Sequence, residues 1–201
     1  MKNHAGSDIR IAIILLASGN GRRFGSNKLL HIMSDGRPMI SSVIDAARAQ
    51  VNCRKILVTQ YEELASLAAD FDIVMNHNPE LGISHSMQLG ISAAGDADAY
   101  IFCVCDQPGI RASTISKLIE SFKNSSHGIV SLSWQGHMFN PKIFSSIYRD
   151  ELLSVSGDTG GRQIISAHMN DLLLVEADSE AEVIDIDYRD KETADNAPLE
   201  F

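Results

Sequence analysis

The sequence predicts an α/β protein, a three-layer α/β/α sandwich, and two observations support this prediction. Short apolar runs of four to six residues recur along the chain, and segments of helical character separate most of them. Strands that alternate with helices in this way pair in parallel and are covered by helices on both faces. The expected architecture is therefore a Rossmann-like, mostly parallel sheet between two helical layers.

Each predicted strand is an apolar run of the length expected for a buried strand. These runs cover residues 11–16, 55–59, 72–75, 99–104, 128–132 and 172–175. The predicted helices cover residues 40–50, 62–69, 84–94, 112–122, 141–153 and 160–168. Ser113 or Thr114 is available to cap the fourth helix, and Pro141 suits the first turn of the fifth.

The chain has 201 residues, which is an ordinary size for one domain and enough to bury a sizeable core. We predict a polar N-terminal tail at residues 1–10, a single domain at residues 11–190 and a C-terminal tail at residues 191–201. No internal repeat, low-complexity segment or linker divides the predicted domain.

Composition argues against several classes of function. The chain is 44% hydrophobic and 21% charged, as in globular proteins, and its net charge of −9 argues against a nucleic-acid partner. No run approaches the roughly 20 apolar residues of a membrane helix, and residues 1–10 lack the apolar segment of a signal peptide. Three cysteines, Cys53, Cys103 and Cys105, show no metal-site spacing, and Cys103 and Cys105 share one face of a predicted strand, so we expect these two to be inert. We expect a cytoplasmic protein without a membrane partner.

The loop that follows the first predicted strand combines glycines with cations. Open α/β sheets bind ligands at the carboxyl ends of their strands, which is where this loop is expected. Glycine allows backbone N–H groups to approach an anion closely, and the cations supply charge. The loop therefore predicts a phosphate site, suited to a nucleotide; its glycines and cations are Gly19, Gly21, Gly25, Arg22, Arg23 and Lys28.

Two better-known glycine loops do not fit this segment. The spacing from Gly19 to Gly25 is one residue too long for the dinucleotide motif G-x-G-x-x-G, which also opens directly into a helix. Here Pro38 delays the predicted helix. A Walker loop is excluded because Lys28 follows Asn and precedes Leu, rather than following Gly and preceding Ser or Thr.

A second candidate site follows the fourth predicted strand. Asp106, in the triplet Asp106-Gln107-Pro108, is expected at the same crevice, where it is either a turn residue or a Mg²⁺ ligand. Mg²⁺ takes oxygen ligands and is held by one or two carboxylates together with substrate phosphates. Asp185 and Asp187, which share one face of an extended segment, are a candidate partner cluster or an ordinary surface pair.

Taken together, these motifs resemble the MobA-like nucleotidyltransferases, and among them most closely the molybdenum cofactor cytidylyltransferases. Residues 16–30 match the first family motif, approximately L-A-A-G-x-S-x-R-M-G-x-x-K-L-L. The resemblance runs in the family's order from about residue 11 to residue 189. The further matches are Asn78-Pro79, residues 82–90, Asp106-Gln107-Pro108, Gly136-His137, residues 157–162 and residues 185–187.

Three details favour the cytidylyl branch of this superfamily. These are Ser18 where guanylyltransferases usually carry Gly, the Asp-Gln-Pro triplet, and the Gly-Asp-x-Gly-x-Arg pattern within residues 157–162. The chain also departs from the family pattern: Gly21 replaces a usual Ser, Phe24 a usual Met, and Ser18 a usual Ala. Met138 stands where Pro usually follows Gly-His, and residues 188–189 replace a usual Thr-Pro.

The resemblance implies transfer of CMP from CTP to the phosphate of molybdopterin, with release of pyrophosphate. It implies Mg²⁺ as cofactor, a molybdopterin-type acceptor and a molybdenum hydroxylase as client. The implied catalytic residues are Arg23, Lys28 and Asp106, and the implied metal ligands are Asp106 and Asp187. The implied nucleotide-binding residues are Leu16, Ala17, Ser18, Gly19, Asn20, Gly21, Arg22, Arg23, Lys28, Gly82 and Ser86; the implied acceptor-binding residues are His137, Asp158 and Arg162.

Three alternatives remain open at this stage. The same fold would serve GTP, or another nucleotide with a different phosphorylated acceptor. A sugar transferase would use Asp185-Ile186-Asp187 as its metal motif, but that leaves the cations Arg23 and Lys28 unexplained. A non-catalytic module that delivers cofactor to a partner enzyme would not need both Lys28 and Asp106.

Overall fold

The computed structural model describes residues 9–19 and 27–185. The strands in these residues are β1 (Ile11–Ala17), β2 (Cys53–Thr59), β3 (Asp72–Met75), β4 (Ala99–Val104), β5 (Ile129–Trp134), β6 (His137–Ser145) and β7 (Leu172–Glu176). The α-helices are α1 (Ser41–Arg48), α2 (Glu62–Leu67), α3 (Ile83–Ala94), α4 (Ala112–Asn124), α5 (Arg149–Ser154) and α6 (Arg162–Ala167). Short 3₁₀ turns cover Lys28–Leu30, Pro79–Leu81, Ser146–Tyr148, Gly157–Thr159, Met169–Asp171 and Glu180–Glu182.

The strands form one sheet in the order β3-β2-β1-β4-β6-β5-β7. Strand β1 pairs in parallel with β2 on one side and with β4 on the other, and β5 pairs in parallel with β7. Strand β6 is antiparallel to both of its neighbours, β4 and β5. The predicted mostly parallel sheet is confirmed. Its strand order reverses at β1 and β4, so a crevice opens at the carboxyl ends of these two strands.

Two apolar clusters cover the two faces of the sheet, which confirms the three-layer sandwich. All residues of β1 are buried, and successive residues such as Ile13 and Ile14 point to opposite faces. On the Ile13 face the cluster includes side chains of α1, α2 and α4. On the Ile14 face it includes side chains of α3, α5 and α6.

Helix α3 packs unusually close to β1 because Gly90 has no side chain. A Cβ placed on Gly90 would lie 2.4 Å from Cγ2 of Ile14, closer than real Cβ atoms approach. This contact sets the height of α3 above the sheet, and with it the position of the start of α3 at the crevice. A larger residue at this position would push the helix outward.

The predicted helix at residues 141–153 is wrong in its first half. Residues 137–145 form β6, and the helix α5 covers only Arg149–Ser154. The reversal begins at Gln135 and Gly136, whose positive φ angles of 50° and 80° form the tight turn of a β-hairpin. Pro141 is tolerated in a central strand because the β5–β6 register shifts there, so that Pro141 lies in a bulge outside the ladder.

Two smaller expectations concern the fourth helix and the thiols. Thr114 does contribute to the start of α4, where its hydroxyl accepts a hydrogen bond from the Arg111 N–H at 3.3 Å. Cys103 and Cys105 are buried on and after β4; burial raises the pKa of Cys103 to about 12 and also raises the pKa of Cys105 well above its ordinary value. These two thiols therefore stay protonated, as expected of inert residues.

Of the helices in the described part of the chain, none is long and apolar enough to cross a membrane.

Candidate active site

Lys28 and Asp106 lie together at the crevice between β1 and β4. Asp106 follows β4, and Lys28 opens a 3₁₀ turn that Asn27 caps by accepting the Leu29 N–H at 3.1 Å. The Lys28 Nζ lies 3.4 Å from the Asp106 Oδ2, with 14% and 35% of the two side chains exposed. The structure therefore brings one predicted cation and one predicted carboxylate to the carboxyl edge of the sheet.

The loop after β1 is held in place by residues at the end of β2. The Ser18 hydroxyl donates to the Val58 carbonyl at 3.2 Å, and the Gln60 amide donates to the Ser18 carbonyl at 2.9 Å. The Tyr61 hydroxyl donates to the Gly19 carbonyl at 3.2 Å. Ser18 is buried, and because its hydroxyl donates to the Val58 carbonyl, the hydroxyl proton points at β2 rather than at the crevice. Leu16 and Ala17, also predicted at the nucleotide, are buried at the end of β1.

Several predicted site residues cannot be placed. They lie outside the described residues, so their roles stay predictions; they are Asn20, Gly21, Arg22, Arg23 and Asp187.

The segment predicted to bind the acceptor lies against the start of α3. Gly82 has a φ of +86°, and a Cβ there would lie 2.6 Å from the Asp158 Oδ1 and from the Gly157 carbonyl carbon. The same Asp158 oxygen accepts the Ile83 N–H at 3.1 Å, and the Ser84 hydroxyl donates to the Gly157 carbonyl. Asp158 thus caps α3, which favours negative charge at its N-terminus. Gly82 is required here by its backbone conformation and by the close approach of this segment.

Ser86 lies on the first turn of α3 and is buried. It accepts a hydrogen bond from the Asn76 Nδ2 at 3.0 Å, while the Asn76 Oδ1 accepts the Asn78 N–H at 2.9 Å. Asn76 is 1% exposed and follows β3, at the same edge of the sheet as Asp106. The sequence analysis missed Asn76, although a polar residue directly after a predicted strand was a usable signal.

The remaining predicted acceptor residues lie on different elements. His137 is exposed at the tip of the β5–β6 hairpin, opposite Trp134, and Arg162 is the first residue of α6. Within the described residues, the structure shows no hydrogen bond or ion pair between either residue and Lys28 or Asp106. Their placement at the acceptor stays a prediction.

Lys142 is a further cation near the crevice that the sequence analysis missed. It lies on β6 and is largely shielded from water, and its Nζ donates to the Asn140 Oδ1 at 3.0 Å. Burial and the nearby Arg162 lower the pKa of Lys142 to about 8, while Asp185 acts in the opposite direction. A lysine within a largely apolar segment could have indicated this site. Because residues 141–153 were predicted to be a helix, Lys142 was expected on a helix surface instead.

The segment that carries Asp185 is anchored to α4 and to the loop after β4. The buried Glu182 accepts a hydrogen bond from the Thr114 hydroxyl at 2.7 Å. A Cβ on Gly109 would lie 1.8 Å from the Ala181 carbonyl oxygen, so only glycine allows this approach. These contacts bring residues 180–185 alongside the triplet that begins with Asp106.

The donor set at the crevice suits a hard cation that also binds phosphate. Asp106 presents a partly exposed carboxylate, and a second carboxylate, Asp185, acts on Lys142 from the segment that packs against Gly109. No group of three or more His, Cys, Asp or Glu that would hold a metal by itself occurs among residues 9–19 and 27–185. One or two carboxylates that share a cation with bound phosphates is the usual arrangement for Mg²⁺, and the residues present fit it.

Comparisons with known proteins address the family and the fold. The family described as the MobA-like NTP transferase domain matches residues 13–172. A Bifunctional protein GlmU from Burkholderia orbicola (strain MC0-3) is 29% identical over 143 residues, which are 69% of this chain and 30% of that protein. The chain thus spans about a third of the length of the curated relatives that it matches.

Solved structures show the same fold. Rv0371c from Mycobacterium tuberculosis H37Rv superposes with a TM-score of 0.78 at 20% identity, covering 94% of this chain and 98% of that one. Its complex with manganese gives a TM-score of 0.73 at 20% identity, with 92% and 97% covered. A nucleotidyl transferase from Methanothermobacter thermautotroptrophicus (Mth528) gives 0.76 at 20% identity, with 92% and 95% covered.

Proposed function

Because the chain belongs to the MobA-like NTP transferase family, we propose that it is a nucleotidyltransferase that transfers CMP from CTP to the phosphate of a molybdopterin acceptor. The single observation that carries the proposed chemistry is the 3.4 Å approach of the Lys28 Nζ to the Asp106 Oδ2 at the crevice between β1 and β4. The client that receives the product is, in this proposal, a molybdenum hydroxylase.

In the proposed reaction an oxygen of the acceptor phosphate attacks the α-phosphorus of CTP. A new phosphorus–oxygen bond forms, the bond to the β-phosphate breaks, and pyrophosphate leaves with the electron pair. The attacking phosphate is already anionic, so no general base is required. Catalysis then depends on alignment and on stabilisation of charge, as in phosphoryl transfer generally.

Different residues of the chain align the substrates and stabilise charge in this proposal. Lys28 stabilises the charge that develops on the α-phosphate, and Arg23 binds the triphosphate. The pairing of Lys28 with Asp106 in the free protein holds the ammonium at the crevice before substrate arrives. The loop at Ser18 and Gly19 lines the base and phosphates. This loop is held in place by its hydrogen bonds to residues at the end of β2.

Magnesium in this proposal is held by Asp106 and Asp187 together with the phosphates of CTP. When bound, it offsets phosphate charge and supplies electrostatic stabilisation of the leaving group. A manganese complex of the structural neighbour Rv0371c supports a divalent cation as cofactor in this fold.

The choice of CTP and of molybdopterin is supported by the sequence motifs. These are Ser18, the triplet that begins with Asp106, and the Gly-Asp-x-Gly-x-Arg pattern at residues 157–162. In the structure the last of these lies against the start of α3, at the same edge of the sheet as Asp106. This position supports an acceptor-binding role for the segment at residues 157–162.

A pyrophosphate-release assay tests the proposal. Four nucleoside triphosphates are crossed with molybdenum-loaded and molybdenum-free molybdopterin in the presence of Mg²⁺. We expect release with CTP and a pterin acceptor, loss of release in Asp106→Asn, and unchanged release in Asp178→Asn. The control removes one carboxylate from a surface ion pair with Lys117.

The outcomes separate the alternatives. A preference for GTP would replace the cytidylyl assignment by a guanylyl one. Binding of nucleotide without release in a single turnover would favour a cofactor-delivery module. A parallel assay with a nucleotide sugar tests sugar transfer, which release of a nucleoside diphosphate would indicate.

A further inference from the structure

Lys142 is placed where a cation can meet a ligand in the crevice. It pairs with Phe102 of β4 across the ladder, and its Nζ reaches back to the Asn140 Oδ1 at 3.0 Å. Because β6 runs antiparallel to β4, Asn140 lies toward the carboxyl end of β4, the end that leads to Asp106. The ammonium therefore leans toward the crevice and not toward the opposite edge of the sheet.

Arg162 approaches the same face of β6 from the helical layer. A Cβ on Gly161 would lie 2.5 Å from the Cζ of Phe144, so the start of α6 rests directly on β6. Phe144 and Lys142 are two residues apart and share that face of the strand. The absence of a side chain at Gly161 thus brings the neighbouring Arg162 within electrostatic range of Lys142.

The charges in this cluster do not balance. Lys142 and Arg162 are like charges that repel, and Asp185 is the single carboxylate that acts on Lys142. Among the described residues Lys142 forms no ion pair; its hydrogen-bond partner is the neutral Asn140. Within the described residues, the shielded Lys142 and the exposed Arg162 therefore outnumber the carboxylate Asp185, and a bound anion would stabilise this excess of positive charge.

We propose that Lys142 and Arg162 together bind the anionic group of the acceptor, and that this group is a phosphate monoester. The ammonium provides three donors and the guanidinium a planar fork, which together match the oxygens of a dianionic phosphate. In this proposal Lys28, which pairs with Asp106, serves the nucleotide rather than the acceptor. This inference rests on the proposed nucleotidyl transfer, and it adds Lys142 as an acceptor-binding residue.

The direct test measures whether bound phosphate protects the Lys142 amine from acetylation. The full chain is lightly acetylated with and without inorganic phosphate, and the labelling of the Lys142 and Lys123 peptides is compared by mass spectrometry. Lys123, at the exposed end of α4, is an internal standard. We expect phosphate to reduce labelling of Lys142 selectively; equal labelling of Lys142 with and without phosphate would overturn the proposal.

Variants test the same site by affinity. Calorimetric titration with inorganic phosphate follows saturation with a non-hydrolysable CTP analogue and Mg²⁺, so that the triphosphate site is already filled. Lys142→Met is expected to weaken phosphate binding at least about tenfold, as for loss of a charged hydrogen bond. Lys142→Arg should retain most of the affinity, and Lys123→Met all of it. In transfer assays Lys142→Met should raise the KM for the acceptor and leave the KM for CTP unchanged.

The two proposals fail in different ways. Binding of the CTP analogue without phosphate protection of Lys142 would refute the acceptor site and leave nucleotidyl transfer standing. Failure of every nucleoside triphosphate to bind would refute the proposed function. The acetylation experiment needs no nucleotide, so it would still decide whether Lys142 lies in an anion-binding site.

Discussion

Lys28 and Asp106 are 78 positions apart in the chain, yet their Nζ and Oδ2 atoms lie 3.4 Å apart. The contact exists because β1 and β4 are adjacent parallel strands, so the segments that follow them emerge at one edge of the sheet. A cation and a carboxylate held together at a strand-order reversal suit a site that binds a metal-complexed triphosphate. Five predictions follow from this relationship and from the packing around it.

Replacing Lys28 by Met should lower kcat about a hundredfold to a thousandfold, because it removes a positioned cation from the charge that develops at the α-phosphate. The dissociation constant for CTP should change much less, since the loop and the other cations still bind the triphosphate. Steady-state kinetics and nucleotide titration measure the two effects. A loss in kcat below tenfold would remove Lys28 from the catalytic residues.

Replacing Gly90 by Ala should lower the free energy of unfolding by about 1–3 kcal/mol. The new methyl group would collide with Ile14 beneath α3, and a well-packed core does not absorb extra volume freely. Denaturant titration measures the change. Ser92→Ala, at an exposed position on the same helix, is the matched control and should shift stability by less than about 0.5 kcal/mol.

Replacing Asp158 by Ala should destabilise the fold by about 1 kcal/mol, because Asp158 accepts the Ile83 N–H at the start of α3. Asp158→Asn keeps a capping oxygen and should restore most of this stability. Thermal unfolding of both variants distinguishes the two cases. Equal stability of the wild type and the Ala variant would show that the cap contributes nothing.

Anion binding at Lys142 should weaken as the pH rises through about 8. Burial and Arg162 lower the pKa of this lysine to about 8, with Asp185 opposing them, and a bound anion needs the protonated form. Sulfate, whose charge is constant in this range, should bind about tenfold more weakly at pH 9 than at pH 7. The Lys142→Arg variant should show no such change between these pH values; a wild-type affinity that stays constant would contradict the assignment.

Native protein should expose one thiol to a disulfide reagent rather than three. Burial raises the pKa of all three thiols, but Cys103 and Cys105 are fully buried whereas Cys53 is only partly buried and can be reached by the reagent. Mass spectrometry after labelling at neutral pH should find Cys53 modified, and all three cysteines modified only after unfolding. Rapid labelling of Cys103 in the native state would show that β4 opens readily.

The positions of most strands and helices could be predicted from local patterns. Buried parallel strands are continuous apolar runs, so β1 to β4 were located to within two residues at each end. The polar residues that follow β1 and β4 were identified as site candidates by the same logic, since Lys28 and Asp106 come after the strands whose ends form the crevice. These features depend on residues close together in sequence.

The β6 strand was not predicted because it depends on pairing with other strands rather than on a local sequence pattern. Pro141 argues against a strand unless a register shift removes it from the ladder, and that shift depends on the partner strand β5. Once β6 was assigned to a helix, the shielded position of Lys142 and its proximity to Arg162 could not be seen.

The amino-acid order alone determines which segments become strands, which glycines can turn or approach closely, and which charged residues follow a strand. Only the folded chain decides that Lys28 meets Asp106, that Asp158 caps α3, and that Lys142 shares its neighbourhood with Arg162 and Asp185. The physical reason is that strand order and helix packing join positions far apart in sequence, and the pKa of Lys142 depends on those neighbours.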